Sequence, residues 1–299
     1  VKTKDWFIFI LLGAIWSASF LWIKIAVSEI GPFALVAFRV TFGALTGILI
    51  TLFARTKWPR ERATWLTFSL LGVTSVAIPF VLISWGEKTI DSTVASILNA
   101  TTPLFTIFIA HLYLHDDRIT LPKILGLILG FAGVVVLMLQ DLDPNSRNSV
   151  IGQAAVLVAS FFYAASSVYA RLKTEHVPGL VRGAAPLVTA SLAMWIITPV
   201  AERPLVIPTL PITWVAVLWL GILGSGLASI LWYYLLHAIG PTRTTVVSYI
   251  FPLGGVILGV VFLKEPLTWN LALGAALIIS SITVVNWNHR HLQRRQVQV

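Results

Sequence analysis

Ten stretches of this chain are each long and apolar enough to cross a bilayer as a helix: 6–27, 33–53, 65–86, 93–114, 122–139, 152–172, 181–200, 212–236, 243–263 and 269–287. About 20 helical residues span a hydrocarbon core, where each backbone amide must find its partner inside its own segment. The linkers are short and hold helix breakers, among them Gly31-Pro32, Pro59, Asp143-Pro144-Asn145, Pro178-Gly179, Pro208 with Pro211, and Gly240-Pro241. Only 11% of the residues are charged and 57% are hydrophobic, against roughly 25% charged in soluble domains. The expected fold is an all-α polytopic membrane protein of ten transmembrane helices, with the lipid bilayer as its first partner.

Lysine and arginine orient the spans. With the N-terminus inside, 15 of them fall on the cytoplasmic side and 5 outside, and Arg39 is left within a span. This bias in short loops predicts both termini in the cytoplasm. The net charge of +9 sits in linkers and in the basic tail 288–299, which reads as topology and predicts no nucleic-acid partner. The first apolar stretch lacks a small-residue cleavage site and reads as a retained helix.

Several chemistries are excluded. The chain has no cysteine, and its six histidines lie near span ends or in linkers, so neither a metal nor another cofactor is expected. No phosphate-cradling glycine loop, no paired carboxylates within the membrane and no Ser-His-Asp set occur. An enzyme is not expected.

The chain also matches itself. A shift of 149 places Thr64-Trp65 on Thr213-Trp214, Leu71-Gly72 on Leu220-Gly221, Pro103 on Pro252 and Asp116 on Glu265; shifts of 148 and 147 bring Gly126 onto Gly274 and Trp16 onto Tyr163. Two repeats, 6–139 and 152–287, each with an odd number of spans, must enter the membrane from opposite faces. Inverted repeats are the architecture of many secondary transporters, which bind solute near mid-membrane between the copies.

Candidate pathway residues are those that mix aromatic, hydroxyl and amide groups within spans. The first span offers Trp16, Ser17 and Phe20, and its counterpart Tyr163 beside Ser160. The fourth offers Ser96, Asn99 and Pro103 at helical spacing, and the ninth Thr245, Ser248, Tyr249 and Pro252. The third adds Pro79, and the eighth Ser229 and Trp232. Both Pro103 and Pro252 should kink or loosen their helices. Together these side chains suit a mostly apolar small-molecule cavity with a few directing hydrogen bonds. The same hydroxyls can equally pack helices or bond their own backbone.

Six charged residues are gating or structural candidates. Arg39 reads as a gate or ion-pair partner, as a substrate contact, or as a side chain snorkelling to the border. Lys24 lies near the outer end of the first span, as do Glu87 and Lys88 after the third. Asp116 and Glu265 occupy equivalent ends of spans four and nine and suit capping of turns.

The run Gly13-Ala-Ile-Trp-Ser-Ala-Ser-Phe20, the segment Asp116 to Thr120, and Phe262-Leu-Lys-Glu265-Pro-Leu-Thr268, set in two five-span halves, resemble the EamA family of the drug/metabolite transporter superfamily. YddG-like exporters of aromatic amino acids are among its similar members. The resemblance implies a carrier of the bacterial inner membrane, commonly an exporter of amino acids or related metabolites, with a cavity between the halves; the expected cargo is a neutral or aromatic amino acid, and a monomer is expected over an obligate oligomer. Export of other small metabolites or lipophilic drugs is the alternative it leaves open. Asp116 stands where the family usually has glutamate.

Overall fold

Helices account for all regular structure among the described residues, 3–113, 120–139, 148–239, 244, 247 and 250–296, of the computed structural model. In chain order they are α1 (Thr3–Ala26), α2 (Pro32–Phe53), α3 (Arg62–Leu71), α4 (Ile78–Gly86), α5 (Ser92–Asn99), α6 (Thr102–Tyr113), α7 (Leu121–Leu139), α8 (Val150–Thr174), α9 (Gly179–Ala201), α10 (Pro211–Leu218), α11 (Ala228–Ile239), α12 (Ile250–Leu263) and α13 (Trp269–Gln296). Wider π-helical turns at Gly72–Ala77 and Trp219–Leu227 join α3 to α4 and α10 to α11.

Eight helical runs are long and apolar enough to cross a membrane, including the composites Arg62–Gly86, Ser92–Tyr113 and Pro211–Leu235; Ile250–Leu263 and Trp269–Ser281 are shorter apolar helices. Phe53, Ile196 and Trp269 are 86%, 75% and 76% exposed. Large apolar surfaces of that kind belong in lipid.

The fourth stretch departs from the single helix expected over 93–114. It breaks at Ala100 and Thr101 between α5 and α6. Pro103 has no amide to give the Asn99 carbonyl, which instead accepts the Thr102 hydroxyl at 2.8 Å. Pro252 sits in the first turn of α12, so each of the two prolines lies where a half-length helix begins. Pro79 likewise cannot donate to the carbonyl four residues back, and the first π turn ends just before it.

Packing exchanges partners between the two parts of the chain. α2 lies on α9 and on the second π turn, whereas α9 lies on the first. α1 packs on α11 and α12, and α8 on α4, α5 and α6; α7 pairs with α13. Glycines set these close approaches: a Cβ at Gly254 or Gly255 would strike Ser17 or Ser96, and one at Gly221 or Gly226 would strike Phe42 or Thr46. A further pair of contacts repeats 149 positions apart. Trp65 Nε1 donates to the Pro59 carbonyl at 3.0 Å and Trp214 Nε1 to that of Pro208 at 2.9 Å.

Candidate functional site

Trp16 stands halfway along α1 with its ring between α11 and α12. Its centroid is 5.6 Å from that of Trp232 and 5.5 Å from that of Phe251, the latter edge to face. The indole N–H donates to the Gly224 carbonyl at 3.1 Å. Gly224 belongs to the second π turn, where the shifted register leaves carbonyls free to accept from outside the helix. All three rings are partly buried, and with Phe20, Trp22 and Tyr163 among the partly or fully buried residues of the core, they give the interior an aromatic lining.

Arg39 is buried on α2, 5% exposed. Its Nε donates to the Ser225 hydroxyl at 3.0 Å, and the guanidinium lies 3.7 Å from the centroid of Phe80 on α4. The side chain therefore points into protein, and snorkelling to the membrane border does not describe it. Among the described residues it has no carboxylate partner within salt-bridge distance. Cation–π contact of a desolvated guanidinium is worth about 2 kcal/mol or more, which offsets only part of its burial.

The remaining predicted polar residues divide into two groups. Asn99 Oδ1 accepts from the Ser160 hydroxyl at 3.3 Å, tying the end of α5 to α8. Ser17, Ser96 and Ser229 bond backbone carbonyls: Ser17 those of Gly13 and Ile250, Ser96 that of Thr93, Ser229 that of Ser225. The first two also press against glycines of α12, and Ser229 against Gly183 of α9. These three are helix-packing contacts in this conformation. Pro79 and Pro252 are buried where they shape the helix starts. Asp116, Thr245, Ser248 and Tyr249 lie outside the described residues.

Carboxylates close one end of the bundle. Glu265 accepts the Ser92 and Thr93 amides at 2.7 and 2.9 Å, capping α5. Lys264 has φ 55°, a left-handed turn that ends α12 and folds Glu265 back, its amide bonding the Gly259 carbonyl at 3.2 Å. Glu202 accepts the Phe33 and Ala34 amides at 2.9 and 3.0 Å, capping α2, and Glu29 accepts the Thr209 and Leu210 amides ahead of α10. Each cap joins a helix to a distant part of the sequence and satisfies amides that the first turn leaves orphaned. Lys24 completes this end by donating to the carbonyls of Glu87 and Ile90 at 2.7 and 2.6 Å. Glu29 and Glu202 carry no sequence signature, because a carboxylate that caps another helix is distinguished only by long-range folding. A small cleft between Asp91, Asn148, Pro266 and Thr268 also lies here, away from the aromatic interior.

The EamA-like transporter family matches this sequence twice, over residues 4–139 and 150–287. The chain belongs to this family. An uncharacterized transporter of Archaeoglobus fulgidus is 27% identical over 286 residues, covering 94% of this chain and 98% of its own. The uncharacterized transporter YoaV of Bacillus subtilis is 23% identical, with 90% of this chain and 91% of its own covered. The uncharacterized inner membrane transporter YedA of Escherichia coli K12 is 26% identical, with 92% and 88% covered. A crystal structure superimposes with a TM-score of 0.71 over 97% of this chain and 100% of that one at 22% identity, which shows a shared fold. This EamA-like protein is thus a multi-pass membrane transporter.

Proposed function

We propose that the protein is an alternating-access carrier of the bacterial inner membrane that exports neutral or aromatic amino acids. The observation that carries this reading is the partly buried cluster of Trp16, Trp232 and Phe251, set between helices of the two family matches and edged by the Gly224 carbonyl. Aromatic faces suit an aromatic or branched side chain, and a π-turn carbonyl, with a second lone pair beside the one the Trp16 indole uses, suits an ammonium group. Phe20, Asn99, Tyr163 and Trp232 join Trp16 as the substrate-contact residues of this reading.

Ten spans in two inverted repeats, with both termini cytoplasmic, are part of the same proposal. It is supported by the exchanged packing of α2 and α9 on the two π turns and by the Trp65 and Trp214 contacts 149 positions apart. The lysine and arginine bias then puts the carboxylate-capped end outside. In such a scheme this conformation is closed outward, and opening requires the caps of α2, α5 and α10 to part.

Counterflow by purified protein in liposomes tests the proposal, with radiolabelled phenylalanine, tryptophan, leucine and alanine. Saturable exchange that weakens in Trp16→Ala supports it. Folded protein that exchanges none of them but carries lipophilic cations or other metabolites replaces the amino-acid reading with the wider efflux reading.

A further inference from the structure

One acid at the capped end caps nothing. Glu87 directly follows α4, is 0% exposed, and neither of its carboxyl oxygens meets a hydrogen-bond donor among the described residues. Glu202 and Glu265 at the same end each hold two backbone amides. An ionised carboxylate deprived of water and donors costs several kcal/mol, and a neutral acid costs much less.

The cations nearby are engaged elsewhere. Lys24 of α1 turns its ammonium to two backbone carbonyls, and Arg39 of α2 to Ser225 and Phe80. Neither is within ion-pair distance of the Glu87 carboxyl. From the linker after α12 comes the acid Glu265. α8 reaches this end with Gly152 and Gln153, and its first titratable residue is Tyr163. In the following turn Lys88 is exposed and Asp91 buried. Burial pushes the Glu87 carboxyl well above the usual range; Lys24 opposes this, Glu265 adds to it, and Arg39 opposes it, without reversing the direction.

We propose that Glu87 is a proton-binding site whose occupancy permits the capped end to close. Closure takes a proton from water to form the neutral acid; on opening, the O–H bond breaks, the proton returns to water and the hydrated carboxylate remains. This rests on the alternating-access reading above. Because the closed form has the raised pKa, closure is fully favoured below the ordinary carboxylate range, near pH 4, and is progressively weakened as pH rises to the raised value.

The test exploits a chain without cysteine. Ser84, one turn before Glu87, is 0% exposed, and Ser84→Cys reports opening through reaction with a membrane-impermeant maleimide. Rates in liposomes are normalised to those of exposed Val206→Cys, outside the caps, to remove the intrinsic pH dependence of the thiol. The expected result is labelling that is lowest near about pH 4, rises by about tenfold or more as pH is raised, and stays at its low-pH level in Glu87→Gln. Infrared spectra in nanodiscs should also show a carboxylic-acid C=O band that persists above the ordinary carboxylate range and that Glu87→Gln removes. Labelling independent of pH, a pH response that survives Glu87→Gln, or a missing acid band overturns the proposal. The expected labelling in a protein that exchanges no amino acid overturns the substrate reading alone, and pH-blind labelling in one that does exchange them overturns the proton site alone.

Discussion

Arg39 and Ser225 meet through a 3.0 Å hydrogen bond between residues 186 positions apart. The contact fixes α2 to the second π turn while Phe80 covers the guanidinium plane. A single buried cation thereby links three transmembrane elements, two from the first family match and one from the second.

Replacement of Arg39 separates charge from packing. Arg39→Lys keeps the charge but loses the Nε donor and the flat stack, and should lower stability by about 1–3 kcal/mol. Arg39→Met removes the buried charge at similar length and is expected to melt close to the wild type, since apolar replacement of buried ions is often neutral or stabilising. Both variants should exchange the transported solute at least about tenfold more slowly, a loss equivalent to about 1.4 kcal/mol. Melting in detergent paired with counterflow gives both readings, and full transport by Arg39→Met would leave the cation a purely structural role.

The cap on α5 should be measurable by thermal denaturation. Glu265→Ala strips the Ser92 and Thr93 amides of their acceptor and is expected to cost about 1–2 kcal/mol, with Glu265→Gln intermediate because it keeps an acceptor oxygen but loses the charge. Gly259→Ala should imitate the loss, since a Cβ there would collide with the Glu265 carboxylate. Equal melting of all three with the parent would show that the cap contributes nothing.

Between α5 and α12 the approach is set by sterics and therefore by a compensable pair. Gly255→Ala drives a methyl into Ser96 and should destabilise by about 1–3 kcal/mol. Ser96→Gly in the same chain vacates that volume and should restore most of the loss, even though glycine within a helix itself costs about 1 kcal/mol. A double variant no more stable than Gly255→Ala would place the strain elsewhere.

Glu29 and Thr209 offer a reversible lock. The Glu29 carboxylate accepts the Thr209 hydroxyl at 2.7 Å, so Glu29→Cys with Thr209→Cys should cross-link under oxidation or with a short bis-maleimide. Locked protein is expected to stop exchanging solute, and reduction of the disulfide to restore it. Undiminished flux in quantitatively cross-linked protein would mean that this end does not open during transport.

Much of the architecture is legible in the sequence because a bilayer imposes it locally. A segment of about 20 apolar residues must satisfy its own amides, so most long helices follow from the order of residues alone. Pro103 marks the break in the fourth stretch for an equally local reason, the missing amide donor. The register of 149 already pairs Trp65 with Trp214, whose matching contacts then recur in the fold.

Side-chain roles were less accessible. Ser17, Ser96 and Ser229 read in sequence equally as pathway or packing hydroxyls, and their backbone bonds in this conformation come from the fold, because which face of a uniformly apolar helix turns inward leaves little periodic trace. Glu87 and Glu265 are both acids just beyond a helix, but among the described residues one is buried without a donor and the other holds two amides. The sequence alone determined the approximate course of most apolar helices, through the cost of an unpaired amide in lipid. Only the tertiary structure decided which carboxylate caps, which is left bare and where Arg39 finds Ser225, because those outcomes depend on contacts between residues far apart in the chain.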